Sequence, residues 1–522
     1  MTLLPVVAAF AGSWLVARFS GPTVWGTVSW AMALATLLLI LARLGLGVGA
    51  SRLASEIGAR IPGQLRGLYT VALRMRAVAT ALVAGLTWVL AGPLARAIGN
   101  AGLTGAVRMA AAVVVGASIY EFHEQFVVGL NRHAIVSRVR ALMLSLRLVA
   151  TATIVALGLG AVAVLGGYVA AWLVAIGIFA GLLAWRLPRS EVHARGRRQA
   201  TDRVPDQVHV QAPDETSSRA GADEPHGSRA ANPDRAHRGH SLRHRLLAIS
   251  LPLAISSASV TVYSQMDKLM IGYFDSIEEV GQYAIARAVV EVALFPAFAL
   301  VMTLRPALAS RYSLGQVGEC SRLFAGSLRL AFVTGVLAAS VLSALAVPLF
   351  RAVYTLHYAY AGTLMVTFAA VIVMRAPGAL VLPALVAAER TRLYAVLTTV
   401  SAGANFLLNL VLIPKYHARG AILATVVSYS VLLTVGLWQS FGIFGMRPRA
   451  AWFDRAARTL LAGVIAAGVI RVLSDRVRLE GAETFALAAA QVALYAGLVL
   501  VFGVVKRGDL AVFRHNLLKR NV

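Results

Sequence analysis

Continuous apolar runs of about twenty residues recur from one end of this 522-residue chain to the other, and few folds accept them. A helix of that length matches the hydrocarbon thickness of a bilayer. A membrane barrel would need alternating segments of about ten residues, and the runs here do not alternate. Only 14% of the residues are charged and mean hydropathy is +0.73, whereas soluble domains carry about a quarter charged. The chain reads as an all-α integral membrane protein of about fourteen transmembrane helices, in two pseudo-symmetric six-helix bundles plus two C-terminal helices.

The first candidate span, 2–17, is short, holds Pro5, and reads as a clipped helix. Ser20-Gly21-Pro22 makes a turn before a second span at 26–50, and spans three to six fall at 77–97, 105–130, 140–159 and 162–186. Residues 187–245 are rich in Arg, Asp, His, Pro and Gly without hydrophobic periodicity. Such a segment buries too little apolar surface to offset its ordering entropy, so it reads as a disordered linker. Spans seven to twelve follow at 246–272, 281–308, 323–350, 359–388, 393–414 and 419–445, and two more at 452–473 and 482–505. The division is therefore 1–186, a six-helix bundle; 187–245, the linker; 246–445, a second six-helix bundle; and 446–522, two further spans and a basic tail.

Two anchors support a repeat. Val24-Trp25-Gly26 corresponds to Val280-Gly281, and Gly166-Gly167-Tyr168 to Gly420-Ala421-Ile422, both at an offset of about 255. Six spans per repeat give both bundles the same orientation. One set of short loops and the tail holds about 21 Lys and Arg against about 8 in the other set. That bias puts both termini and the 187–245 linker in the cytoplasm and the chain in the cytoplasmic membrane. The net charge of +26 thus belongs to loops rather than to a nucleic-acid-binding domain, and no nucleic acid is expected as partner. Cys320 is the single cysteine, which excludes an intramolecular disulfide and a cysteine metal cluster. No Gly-Lys-Ser/Thr phosphate loop is present, so the chain is not read as an enzyme or an ATPase, and no cofactor is implied.

The pattern from Ala17-Arg18-Phe19-Ser20-Gly21-Pro22 to Trp25-Gly26 and Leu44-Gly45-Leu46 resembles the start of polysaccharide flippases, members of the multidrug/oligosaccharidyl-lipid/polysaccharide exporter superfamily. Leu251-Pro252, Met266-Asp267-Lys268-Leu269 and Val280-Gly281-Gln282-Tyr283 are similar to that family's second half. Asn405-Phe406-Leu407-Leu408-Asn409, Ile413-Pro414 and Gly420-Ala421 resemble its eleventh and twelfth helices. The resemblance covers the chain outside the linker. It implies a flippase that moves a lipid-linked oligosaccharide across the membrane by alternating access, as a monomer among membrane lipids and beside polysaccharide assembly machinery. A lipid II type flippase and a cation-coupled multidrug exporter of the same superfamily are the alternatives. A membrane glycosyltransferase or polymerase is disfavoured because every loop on the external side is short.

A phosphate crossing hydrocarbon needs fixed cations, and the Arg fork matches its oxygens. Arg375 lies mid-span before Ala376-Pro377-Gly378, where a kink is tolerable only against protein or a cavity. It is either a substrate ligand or one member of a structural pair. Arg43 and Arg147 line an inward vestibule or snorkel to headgroups. Arg287 and Glu291, four apart, share a helix face and either pair together or serve substrate and coupling ion. Glu121 and Glu124 lie close on one face, where repulsion would favour protonation; an ion-coupling role is weighed against a hydrated position. Asp267 turns inward while Lys268 snorkels outward, and Asn405 joins Asn409 as a sugar contact or interhelical glue.

Overall fold

The computed structural model describes residues 3–43, 45–60, 65–186, 242–447, 450–476 and 482–504. The 187–241 part of the linker and the tail from 505 lie outside the described residues. Helix is the only secondary structure among them, apart from turns and short 3-10 segments, because hydrocarbon offers no partner for backbone groups left outside a helix.

The first half comprises α1 (Leu3–Arg43), α2 (Leu46–Arg60), α3 (Leu65–Val89), α4 (Ala91–Ala97), α5 (Thr104–Gly129), α6 (His133–Ala156) and α7 (Ala161–Arg186). The second comprises α8 (Leu242–Phe274), α9 (Ile277–Ala293), α10 (Phe295–Ser313), α11 (Val317–Val353), α12 (Ala359–Gly378), α13 (Val381–Ala387) and α14 (Thr391–Ile443). Two more helices follow, α15 (Ala450–Arg476) and α16 (Ala482–Val501).

Two of these helices are too long to cross once. Straight, α1 and α14 would reach about 60 and 80 Å, against roughly 30 Å of hydrocarbon. Each is broken. Gly21 in α1 adopts φ 81°, ψ 175°, and Pro22 starts the next stretch, where its missing N–H is harmless. His417 in α14 adopts φ 55°, ψ −140°. Gly420 then packs against the Leu412 carbonyl and the Ile413 nitrogen, a contact that a straight helix forbids, so the chain reverses here. Helices α9 and α10 meet at a bend of 47°, with Pro296 just after the bend at Leu294.

Among the described residues ten helices are long and apolar enough to span, or eleven where the bent pair counts as one span. The breaks in α1 and α14 divide two of these. The expected third span is displaced: α3 begins at Leu65, not 77, because Arg76 is buried with its donors satisfied and so does not end the helix. Residues 26–50 also divide, at Gly45 (φ 67°), between α1 and α2. Helix α8 starts at Leu242, inside the stretch assigned to the linker.

The halves meet most closely where Pro22–Gly26 crosses Ile277–Gly281. A Cβ on Gly26 would overlap the Ile277 carbonyl oxygen, and one on Gly281 would overlap the Pro22 carbonyl oxygen. Residues 22 and 26 stand 255 before 277 and 281, so this contact is reciprocal at the repeat offset. Beside it, Trp14 Nε1 donates to Val353 O at 2.9 Å, and Arg18 donates to Val353 O at 2.7 Å and Tyr354 O at 3.1 Å. These carbonyls end α11 and have no partner within the helix, which is why a cation settles there.

The acidic turn before α9 ties this end together. Ser276 caps α9 by accepting from Glu279 N. The Glu279 carboxylate accepts from Tyr360 Oη at 2.9 Å and from the backbone N–H of Ala418 at 3.0 Å. Gln282 donates to His357 O and accepts from Ala361 N. Removing the clamp with Glu279→Ala is expected to cost about 3 kcal/mol, two charge-assisted bonds at roughly 1.5 each because Glu279 is only half-buried. A thermal midpoint in detergent equal to the parent's would contradict that. Helices α15 and α16 lie against α11, with Gly463 on Val336 and Tyr495 Oη donating to Val333 O at 2.9 Å.

Candidate functional site

The polar side chains inside the apolar helices gather into two clusters, one in each half. In the second half the centre is Asp267, whose side chain is only 1% accessible. Its Oδ2 accepts from Tyr283 Oη at 2.6 Å and Arg287 Nη1 at 3.3 Å, and its Oδ1 from Asn409 Nδ2 at 2.8 Å. Asn409 also donates to Asn405 Oδ1, and Asn405 to Thr425. Helices α8, α9 and both arms of α14 thereby converge on one carboxylate. Burying a charge is tolerable only with this degree of hydrogen bonding.

Glu291, one turn beyond Arg287, pairs instead with Arg375 of α12, at 2.7 Å to Nη1 and 3.4 Å to Nη2. The expected Arg287–Glu291 pair is therefore not the one formed: each residue reaches across to another helix. The bidentate hold on Arg375 realises the structural pairing weighed for it, and leaves its guanidinium 22% accessible. Lys268 does not extend into surrounding lipid. It is half-buried and lies within electrostatic reach of Asp267, Arg287 and Glu291.

In the first half Arg43 holds Glu121 bidentately at 2.6 and 2.8 Å. Arg76 approaches the same carboxylate at 3.7 Å and donates to Ser118 Oγ, Ser118 O and Arg43 O. Arg76 is 2% exposed and escaped the sequence reading, which ended the preceding loop at that residue. Its signal was present: an Arg only a few residues ahead of an apolar run, on a helix that needs no break. Glu124 pairs with Arg140 of α6. The two glutamates thus each face a guanidinium, and mutual repulsion is not the dominant influence on either. His123, between them, bonds Tyr69 Oη and the Ile119 carbonyl. Arg147 stacks on the Tyr168 ring at 3.5 Å rather than extending to a headgroup.

Both clusters are built from guanidinium, ammonium and carboxylate groups in ion pairs and hydrogen bonds. No group of His, Cys, Asp and Glu suited to a metal occurs among the described residues. Cations outnumber carboxylates: Arg43, Arg76 and Arg140 against Glu121 and Glu124, and Lys268, Arg287 and Arg375 against Asp267 and Glu291.

No family model matches the sequence, and no curated protein matches it either. Solved structures do match. The lipid II flippase MurJ in an inward closed conformation superposes with a TM-score of 0.68 at 11% identity, covering 99% of this chain and 98% of that one. An inward-facing multidrug resistance transporter of the MATE family gives 0.64 at 15% identity, over 84% and 94% of the chains. A transporter from Pyrococcus furiosus, described as having a binding pocket of reversed polarity, gives 0.54 at 15% identity, over 85% and 93%. The MATE and Pyrococcus furiosus proteins are described as transporters of the MOP superfamily, and this chain has the fold that all three structures share.

Proposed function

We propose that the protein is a flippase that carries a lipid-linked oligosaccharide, held by its phosphate or pyrophosphate, across the cytoplasmic membrane. The observation that carries the reading is the surplus of guanidinium and ammonium groups over carboxylates in both intramembrane clusters. A pocket for cationic drugs would be balanced the other way. Alternating access is part of this reading, and it is supported by one end being drawn shut by the Gly26–Gly281 contact and the Arg18 bonds to α11. The charge bias of the loops assigns that shut end to the external face. Arg375, Arg287, Arg43 and Arg147, with Asp267 and Asn405 holding them in place, would meet the anionic head. Glu121, Glu124 and Glu291 would couple an ion by releasing their guanidinium partners when protonated.

The lipid II flippase has the same fold, and a lipid II type substrate is the second reading, since its pyrophosphate asks for the same cations. The test is delivery of a lipid-linked oligosaccharide to the far leaflet of vesicles, set against efflux of a cationic dye. Arg375→Ala should lower sugar-lipid delivery about ten- to a hundredfold, the equivalent of one charge-assisted contact of roughly 1.5–3 kcal/mol. Arg375→Ala with Glu291→Ala should remove the orphaned carboxylate without restoring delivery. Unchanged delivery in the single variant, or dye efflux without sugar-lipid movement, would refute the assignment. Lipid II offered in the same vesicles separates the two substrate readings.

A further inference from the structure

A cleft of about 330 Å³ opens between α11, α12, α14 and α15. Its volume lies at the lower end of the range for small-molecule sites, roughly 300–1,000 Å³. Its walls are apolar, with Phe332, Pro377, Leu437 and Trp452 among them. Two basic residues, Arg329 and Arg455, also line it, and none of the described lining residues is acidic. The cleft sits near the starts of α11 and α15 and the ends of α14 and α16, at the opposite end of α14 from the turn at His417. Trp452 and Arg455 lie within the first two turns of α15, where an aromatic ring and a guanidinium suit a headgroup level.

We propose that this cleft binds one anionic phospholipid of the bilayer, an acyl chain between the helices and the phosphate on Arg455. Three features choose that occupant. The interior has room for a chain but offers an oligosaccharide almost no hydrogen-bonding groups. The lining charge is of one sign, which favours an acidic headgroup over a zwitterionic one. The charge bias of the loops turns this end toward the cytoplasmic leaflet, where anionic lipids attract basic segments. Val373, Met374 and Pro377 of α12 form one wall, and Arg375 between them points away to Glu291. A bound chain therefore braces the kinked segment that presents Arg375. The inference rests on the membrane-spanning fold and stands apart from the identity of the transported substrate.

The full-length protein in mild detergent, titrated with dioleoyl phosphatidylglycerol or dioleoyl phosphatidylcholine and read by native mass spectrometry, tests it. Retention of phosphatidylglycerol should exceed that of phosphatidylcholine by about fivefold, the scale expected for the one basic contact at Arg455. Arg455→Glu should erase the preference, and Ala456→Phe, which fills the cleft, should erase retention of both. Arg455 is only half-buried, and its variant reads the headgroup contact even where Ala456→Phe fails to fold. Equal retention of the two lipids by the parent would overturn the proposal, as would an unchanged preference in Arg455→Glu. Displacement by equimolar undecaprenyl phosphate would also overturn it, because the cleft would then belong to a polyprenyl carrier.

Discussion

The Gly26→Leu variant is expected to lose transport by at least about a hundredfold while both halves stay folded. Overpacked cores usually recover by side-chain movement at a cost of about 1–3 kcal/mol. Here the obstructing atoms are the backbone oxygen of Ile277 and, at 3.0 Å, the nitrogen of Gly281. Backbone does not yield in that way, so the two halves must separate at this end. Val280 is fully buried beside the contact, and a Val280→Cys background makes the separation visible. That cysteine should resist a membrane-impermeant thiol reagent in the parent and react in the Gly26→Leu protein. The natural Cys320 is buried and contributes little signal. Gly85 has open space around it, and Gly85→Leu serves as the control that should behave like the parent. Normal transport by Gly26→Leu would mean that this end need not close.

The second large effect is expected at Asp267. Asp267→Ala strands Arg287 and leaves Tyr283 and Asn409 without their acceptor. Breaking a buried pair in this way costs about 3–5 kcal/mol. At roughly 2–4 °C per kcal/mol the thermal midpoint in detergent should fall by on the order of 10 °C. Asp267→Asn keeps the shape and an acceptor for Tyr283 but removes the charge that holds Arg287. It should fold, with a smaller drop in midpoint, yet transport poorly because Arg287 is no longer fixed. A midpoint for Asp267→Ala within a degree of the parent's would remove the network from the account of stability. Parent-like transport by Asp267→Asn would remove it from the account of mechanism.

Much of the architecture was legible because hydropathy reports directly on how lipid-facing helices are built. The Gly26–Gly281 correspondence was legible for another reason: two glycines at a fixed offset marked the place where only hydrogen side chains fit. Helix limits were harder to read, and Arg76 is the instructive case. A charged residue reads as the edge of a span until its three hydrogen-bond partners, two on Ser118 and one on Arg43, are known. Pairings were harder still. Glu121 finds Arg43 from 78 residues away and Glu291 finds Arg375 from 84, whereas local spacing suggested Arg287 for the latter. Helical periodicity says which residues share a face and nothing about which neighbouring helix supplies the partner.

The Glu279 clamp has a mechanical corollary. One carboxylate fastens the first turn of α9 to Tyr360 at the start of α12 and to Ala418 at the return of α14. Tilting any one of those three segments alone would break a bond to this carboxylate. Flexure during a transport cycle then concentrates at the joints farther along the same helices, the 47° bend at Leu294 and the proline step at 377. Both joints lie within a few residues of the Glu291–Arg375 pair, so any hinge strain is delivered to that pair first.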